Sequence, residues 1–142
     1  MPPNDVARDI LTEDGLRALA GRLWHELPVG AVVWLSGDLG AGKTTFAQAV
    51  TAAAGAERAR SPTFALVHEY DSPAGTIVHV DCYRLREPRE ALDLDLPGLL
   101  RRARLLLLEW PERAEGYAPP PDVHLAFAHV DRTEQRSVER VT

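Results

Sequence analysis

The spacing of apolar residues predicts a helix, a strand and a second helix in the first part of the chain. Apolar residues recur at helical spacing after Thr12, which we expect to cap a helix that ends at about His25. Residues 31–36 form a short apolar run with the length of a buried strand. A glycine-rich turn follows, and a second helix is predicted from Lys43 to about Ala54.

The middle of the chain predicts a hairpin and then a helical stretch. Residues 64–70 and 77–81 are strand-like and are joined by a turn that contains serine, proline and glycine. Residues 88–104 are rich in leucine, arginine and acidic residues, which predicts one or two helices. Pro97 and Gly98 mark the expected interruption between them.

The last part of the chain predicts a central strand and a terminal hairpin. Residues 105–109 are a bare apolar run that ends in an acid, residues 113–121 are a loop, and residues 123–127 alternate in the manner of a strand. This order predicts a three-layer α/β domain with a mixed central sheet and a C-terminal β-hairpin. With 142 residues, 45% of them hydrophobic, we expect a single domain over residues 1–142.

Composition and charge narrow the classes of partner. The formal net charge is −5, so the chain as a whole does not attract nucleic acid, and an RNA would have to be held by another component. Cys82 is the only cysteine and cannot form an internal disulfide, which fits a reducing cytoplasm. No long apolar run and no apolar N-terminal core exist, so we expect a cytoplasmic protein without a membrane segment.

Residues 37–44, GDLGAGKT, satisfy the phosphate-binding pattern G-x-x-x-x-G-K-[ST] at every fixed position. The pattern follows a predicted strand and opens a predicted helix, the context in which backbone N–H groups cradle phosphates. The predicted three-layer α/β domain is therefore expected to be P-loop NTPase-like. Lys43, the only lysine among 16 basic residues, is expected to bridge the terminal phosphates of ATP, and Thr44 to coordinate Mg²⁺. The residues predicted to bind the nucleotide here are Gly37, Asp38, Leu39, Gly40, Ala41, Gly42, Lys43, Thr44 and Thr45.

Two acids at the ends of predicted strands are candidates for the metal site. Asp81 and Glu109 each follow an apolar run, and either could hold Mg²⁺ or orient an attacking water. The sequence does not rank them, so both join Lys43 as predicted catalytic residues and Thr44 as predicted metal ligands. The histidines have no metal-ligand spacing with Cys82, and His79 is interpreted as a structural strand residue.

Four motifs in a fixed order resemble one family. GDLGAGKTT (37–45), SPTF (61–64), HVDCYRL (79–85) and LEWPE (108–112) are similar to the TsaE family, and the resemblance runs from about Thr12 to Arg136. It implies an ATPase that supports formation of threonylcarbamoyladenosine at position 37 of transfer RNA. It also implies docking on a TsaB–TsaD heterodimer, with ATP hydrolysis resetting that complex and the tRNA reached only through it.

The resemblance also assigns individual residues. Thr63 matches a switch-like segment beside the terminal phosphate, and Trp110 matches a tryptophan beside the active site. Asp81 corresponds to an acid near the magnesium water shell, whereas Glu109 corresponds to the carboxylate on the metal.

Thr12 and Arg136 fall where family members approach the adenine. The chain departs from the family pattern at Gln135 and at residues 93–95, where glycine is expected.

Other functions share the phosphate-binding pattern. A small-molecule or nucleoside kinase fits it, but 142 residues leave little room for an acceptor pocket and a lid. A GTPase needs an N-K-x-D motif, and Asn4 is the only asparagine. A nucleotide-gated binding module whose hydrolysis is incidental is the third alternative.

Overall fold

The computed structural model describes residues 8–58, 66–130 and 135–141, and their strands form one eight-stranded sheet. The strands are β1 (Arg8–Leu11), β2 (Ala31–Gly37), β3 (Glu57–Arg58), β4 (Val67–Ser72), β5 (Gly75–Asp81), β6 (Ala103–Glu109), β7 (Val123–His129) and β8 (Arg136–Arg140). The helices are α1 (Glu13–Glu26), α2 (Lys43–Ala53) and α3 (Leu96–Arg102), with 3₁₀ helices at Pro88–Leu94, Pro111–Arg113 and Glu115–Tyr117.

The strand order explains where a site can form. The order is β1-β8-β7-β2-β6-β5-β4-β3, and the central strands β7, β2, β6 and β5 run parallel to one another. Antiparallel hairpins, β4–β5 and β7–β8, lie on the two sides, which confirms the mixed sheet and both predicted hairpins. Since parallel strands share a direction, the carboxyl ends of β2, β5 and β6 meet at one edge.

Alternation along the strands builds the predicted three layers. Odd-numbered residues such as Leu35 and Leu107 pack in one core with α1 and with Phe46 of α2. Even-numbered residues such as Val80 and Leu108 pack in a second core with α3. Because both sheet faces are covered near the centre, β6 reads as an almost continuous apolar run.

The helix boundaries confirm one expectation and correct another. Thr12 caps α1, and its hydroxyl accepts a hydrogen bond from the backbone N–H of Gly15 at 3.2 Å. The break predicted at Pro97 and Gly98 is wrong, because it lies at Asp95, whose φ is 51°. Pro97 instead stands in the first turn of α3, where the missing N–H costs nothing, and Asp95 caps the N–H of Gly98 at 3.2 Å.

Two edge strands were not predicted. The four residues of β1 pair with β8, and the two residues of β3 pair with β4. The strand predicted over residues 64–70 begins at Val67 within the described part, and the predicted loop 113–121 contains a 3₁₀ helix. The longest helix of the described residues, α1, has 14 residues, so none of these helices is long enough to cross a membrane.

Candidate functional site

The carboxyl edge of the parallel strands brings together residues that are distant in sequence. Asp81 at the end of β5 pairs in register with Glu109 at the end of β6, and Leu35 of β2 pairs with Glu109 on its other side. The glycine-rich loop (residues 37–44) leaves the sheet at the same edge and leads into α2. The predicted phosphate loop and both predicted acids therefore share one edge of the sheet.

The glycine-rich loop depends on backbone angles that favour glycine. Gly37, Gly40 and Gly42 have φ values of 133°, 74° and 111°. Gly42 is also the N-cap of α2, and no side chain accepts a hydrogen bond from the first turn there. The first N–H groups of α2 and the positive end of its dipole are therefore directed toward the cleft, which suits an anion such as phosphate.

Lys43 is buried at the centre of this edge. Its side chain is only 4% exposed, and its Nζ donates hydrogen bonds to the backbone carbonyls of Gly37 and Asp38, the latter at 2.8 Å. The ammonium also lies 4.6 Å from the centroid of the Trp110 ring, a cation–π contact. These contacts hold the ammonium inside the glycine-rich loop rather than in solvent.

Burial and nearby acids act in opposite directions on Lys43. Loss of solvent lowers the pKa of Lys43, whereas the charges of Glu109, Asp81, Glu112 and Asp38 favour its protonated form. Burial has the larger effect, so the pKa lies below the usual value of a lysine. The charges of these four acids also oppose the binding of a polyanion, an effect that a cation bound with the ligand would offset.

Glu109 is the more deeply buried of the two acids, at 2% exposure. Each of its carboxylate oxygens accepts from the Thr44 hydroxyl at 3.2 Å, and Oε2 also lies 2.5 Å from Nε2 of His79. Asp81 is half-buried and accepts from the backbone N–H of Tyr83 at 3.0 Å. A hydroxyl beside a carboxylate is the oxygen donor set that Mg²⁺ prefers, so the residues present fit a magnesium ion.

His79 is a buried strand histidine with a hydrogen-bond partner, as the sequence predicts. Its Nε2 lies 2.5 Å from Oε2 of Glu109, a partner that the sequence does not identify. Strand alternation places His79 on the same face of β5 as Ile77 and Asp81, and Glu109 lies on that face of β6. Alternation alone does not show that β5 and β6 are neighbours.

Trp110 forms one wall of the cleft. Its backbone is left-handed, with φ 56°, and its N–H donates to the carbonyl of Leu35 at 3.1 Å. The indole ring packs on Tyr83 with 4.9 Å between centroids, and the Arg113 guanidinium lies 5.5 Å from the indole centroid. Among the three non-glycine residues with positive φ in the described part of the chain, Trp110 is the one that lines the cleft.

The β7–β8 hairpin holds the outer part of the glycine-rich loop. Arg136 donates from Nε to the carbonyl of Gly40 at 3.1 Å. His129 donates from Nε2 to the carbonyl of Leu39 at 2.9 Å, which requires the tautomer with hydrogen on Nε2. Both side chains bind carbonyl groups, so the hairpin constrains the backbone of the loop from outside.

These residues surround a cleft of about 600 Å³. Gly37, Asp38 and Ala41 support the loop without lining the cleft, and Thr63 lies outside the described residues. The walls of the cleft also include Glu13, Asp14 and Leu16 at the start of α1. These residues are not among the site residues predicted from the sequence, although they lie close to Thr12 in the chain. The lining residues are Thr12, Glu13, Asp14, Leu16, Leu39, Gly40, Gly42, Lys43, Thr44, Thr45, Asp81, Glu109, Trp110 and Arg136.

Comparison with solved structures supports the fold. The chain is similar to the crystal structure of Bacillus subtilis YdiB, with a TM-score of 0.77. The match covers 97% of this chain and 87% of that one, at 23% sequence identity. At this identity the likeness establishes the α/β fold and no more.

Comparison with families and curated proteins identifies the relatives of the chain. Residues 10–138 match the model of the family described as threonylcarbamoyl adenosine biosynthesis protein TsaE. The chain is 33% identical over 111 residues to the tRNA threonylcarbamoyladenosine biosynthesis protein TsaE of Haemophilus influenzae, which covers 78% of this chain and 69% of that protein. It is also 33% identical to the TsaE protein of Aquifex aeolicus, with 88% of each chain covered. The chain therefore belongs to the TsaE family, which is involved in tRNA threonylcarbamoyladenosine biosynthesis.

Proposed function

We propose that the chain binds ATP with Mg²⁺ in the cleft, hydrolyses the terminal phosphate bond slowly, and so supports repeated threonylcarbamoylation by a TsaB–TsaD complex. One observation carries the nucleotide part of this proposal. The glycine-rich loop places the buried ammonium of Lys43 and the hydroxyl of Thr44 beside the buried carboxylate of Glu109. Hydrolysis of phosphoanhydrides needs little more than such positioning and charge stabilisation.

The residues of the site have distinct roles in this proposal. Lys43 and the loop N–H groups hold the terminal phosphates, while Thr44 and Glu109 hold the metal. A magnesium ion held there neutralises negative charge on the phosphates. Asp81, which lines the cleft beside Glu109, orients the attacking water.

Residues at the rim of the cleft hold the rest of the nucleotide. Thr45 assists from the next position of α2, and Trp110 closes the wall near Lys43. Thr12 and Arg136 line the same cleft and are assigned to the adenosine side. Thr63 keeps its predicted role beside the terminal phosphate as part of this proposal.

The partner is a protein complex rather than free RNA. The net charge of −5 opposes direct binding of tRNA, since phosphate contacts need clustered positive charge. We therefore assign RNA binding and transfer of the threonylcarbamoyl group to TsaB–TsaD in the cytoplasm. The support for this partner is membership of the TsaE family.

The test is multiple-turnover modification of tRNA by matched TsaB and TsaD, with and without this chain. We expect ATP-dependent turnover to require the chain and to fail with Lys43→Ala, which also loses tight ATP binding in calorimetry. The matched control is Arg89→Ala, which removes an exposed cation that pairs with Glu87, away from the cleft. Unchanged ATP affinity in Lys43→Ala would refute the role of the loop.

The same assay separates the two parts of the proposal. A chain that binds ATP but does not affect turnover would refute the partner assignment and leave the nucleotide site standing. Phosphoryl transfer to an added nucleoside, rather than to water, would then identify a kinase.

A further inference from the structure

We infer that His79 is a positioning residue that sets the orientation of the Glu109 carboxylate toward Thr44, and thereby the affinity of the site for magnesium. The inference rests on the proposed function for the identity of the metal. The orientation of Glu109 itself rests only on contacts in the structure.

The contact between His79 and Glu109 is buried on both sides. His79 is 6% exposed and Glu109 is 2% exposed, and their Nε2 and Oε2 atoms are 2.5 Å apart. A carboxylate can only accept, so Nε2 of His79 donates the hydrogen. A buried carboxylate needs such donors because it has lost the hydrogen bonds of water, so this contact constrains Glu109 strongly.

Thr44 alone cannot select an orientation for Glu109. Its hydroxyl lies 3.2 Å from Oε1 and 3.2 Å from Oε2, so the two oxygens are equivalent with respect to Thr44. His79 contacts Oε2 only. The histidine therefore distinguishes the two oxygens, and Oε1 keeps Thr44 as its hydrogen-bond partner.

The placement of His79 on β5 makes this constraint rigid. In the parallel pairing of β5 with β6, its register partner is Leu107, two residues before Glu109. The imidazole therefore approaches the carboxylate diagonally across the sheet face, from the interior of a central strand. Groups that orient a ligand of a metal commonly change metal affinity by about 10- to 100-fold when removed.

The neighbouring strand supplies a matched control. His68 of β4 is the register partner of His79, and the two ring centroids are 6.2 Å apart. Substitution of His68 replaces a histidine that lies beside His79, and it leaves the His79 donor to Glu109 in place.

The experiment is a magnesium titration of the binding of a non-hydrolysable ATP analogue. We expect His79→Leu, which has a similar size but no donor, to raise the half-saturating magnesium concentration about 10- to 100-fold. His79→Gln places an amide N–H near the position of Nε2 and should restore the wild-type value to within a few fold. His68→Leu should titrate like the wild type.

A second measurement needs no ligand. The changes in urea midpoint caused by His79→Leu, Glu109→Leu and the double variant should be non-additive, because each single change removes the same hydrogen bond. If His79→Leu fails to fold, His79→Asn, whose amide is too short to reach Oε2, takes its place in both measurements.

The outcomes distinguish this inference from the proposed function. If the wild type binds the ATP analogue equally well with and without magnesium, the proposed metal site is refuted. If the changes in urea midpoint are additive, the positioning role is refuted. A normal magnesium titration in His79→Leu, or a defect in His79→Gln equal to that of His79→Leu, would also overturn the inference.

Discussion

Replacement of Gly37 by alanine tests how the glycine-rich loop is attached to the sheet. Gly37 ends β2 with a φ of 133° and pairs with Phe127 of β7. A Cβ added to Gly37 would lie 2.1 Å from the carbonyl oxygen of Phe127, far closer than a carbon and an oxygen can approach. At Gly42, with a φ of 111°, the nearest atoms to an added Cβ are at 3.5 Å, an ordinary contact.

The cost of each substitution follows from these distances. An unfavourable backbone angle costs about 1–3 kcal/mol of folding free energy, and both variants carry this cost. Only Gly37→Ala must also move β2 away from β7. This overpacking adds a destabilisation of roughly 1–3 kcal/mol. We therefore expect Gly37→Ala to be less stable than Gly42→Ala by about 1–3 kcal/mol, a large share of the roughly 5–15 kcal/mol that stabilises a domain.

The assay is urea denaturation followed by circular dichroism, with Gly21→Ala as a second reference. Gly21 lies in α1 with no atom within 4 Å of an added Cβ, so alanine there should increase the free energy of unfolding by about 0.5–1 kcal/mol. The reasoning is refuted if Gly37→Ala is as stable as Gly42→Ala, because the contact with Phe127 would then cost nothing.

Further predictions concern the thiol and the cleft. Burial raises the pKa of Cys82 to about 12, so the thiol stays protonated at pH 8, and a thiol reagent should label the native protein far more slowly than the urea-unfolded protein. Equal labelling rates would contradict this. Arg136→Ala removes the donor to the Gly40 carbonyl and should weaken binding of an ATP analogue about tenfold in calorimetry, so an unchanged affinity would count against this contact. Glu109→Ala should raise the magnesium requirement for hydrolysis more than Asp81→Ala, since Glu109 is the acid in contact with the Thr44 hydroxyl, and the reverse order would show that the acids are ranked wrongly.

Features with a local cause could be predicted from the sequence. The glycine-rich loop is recognisable because its glycines, lysine and threonine occupy consecutive positions whose roles depend on the backbone alone. The β4–β5 hairpin follows from turn residues between two strand-like runs. The cap at Thr12 is likewise a contact between residues three positions apart.

Features that depend on distant contacts could not be predicted in the same way. The strand β1 has four residues, and its pairing with β8 joins Arg8 to Glu139 across most of the chain. The contact of His79 with Glu109 depends on which strands are neighbours, which the sequence pattern does not reveal. The break between helices is predicted at Pro97 and Gly98 but lies at Asp95, because proline disrupts the interior of a helix but is tolerated in its first turn.

The pairing of β1 with β8 has a consequence for biosynthesis. β1 precedes the other seven strands of the sheet along the chain, so during synthesis it has no partner in the sheet until β8 has emerged from the ribosome. The same β7–β8 hairpin carries His129 and Arg136, the side chains that bind the carbonyls of the glycine-rich loop. The edge strand β1 and the glycine-rich loop therefore both depend on the β7–β8 hairpin, and a nascent chain that has not yet reached β8 lacks the Arg136 contact that holds the loop.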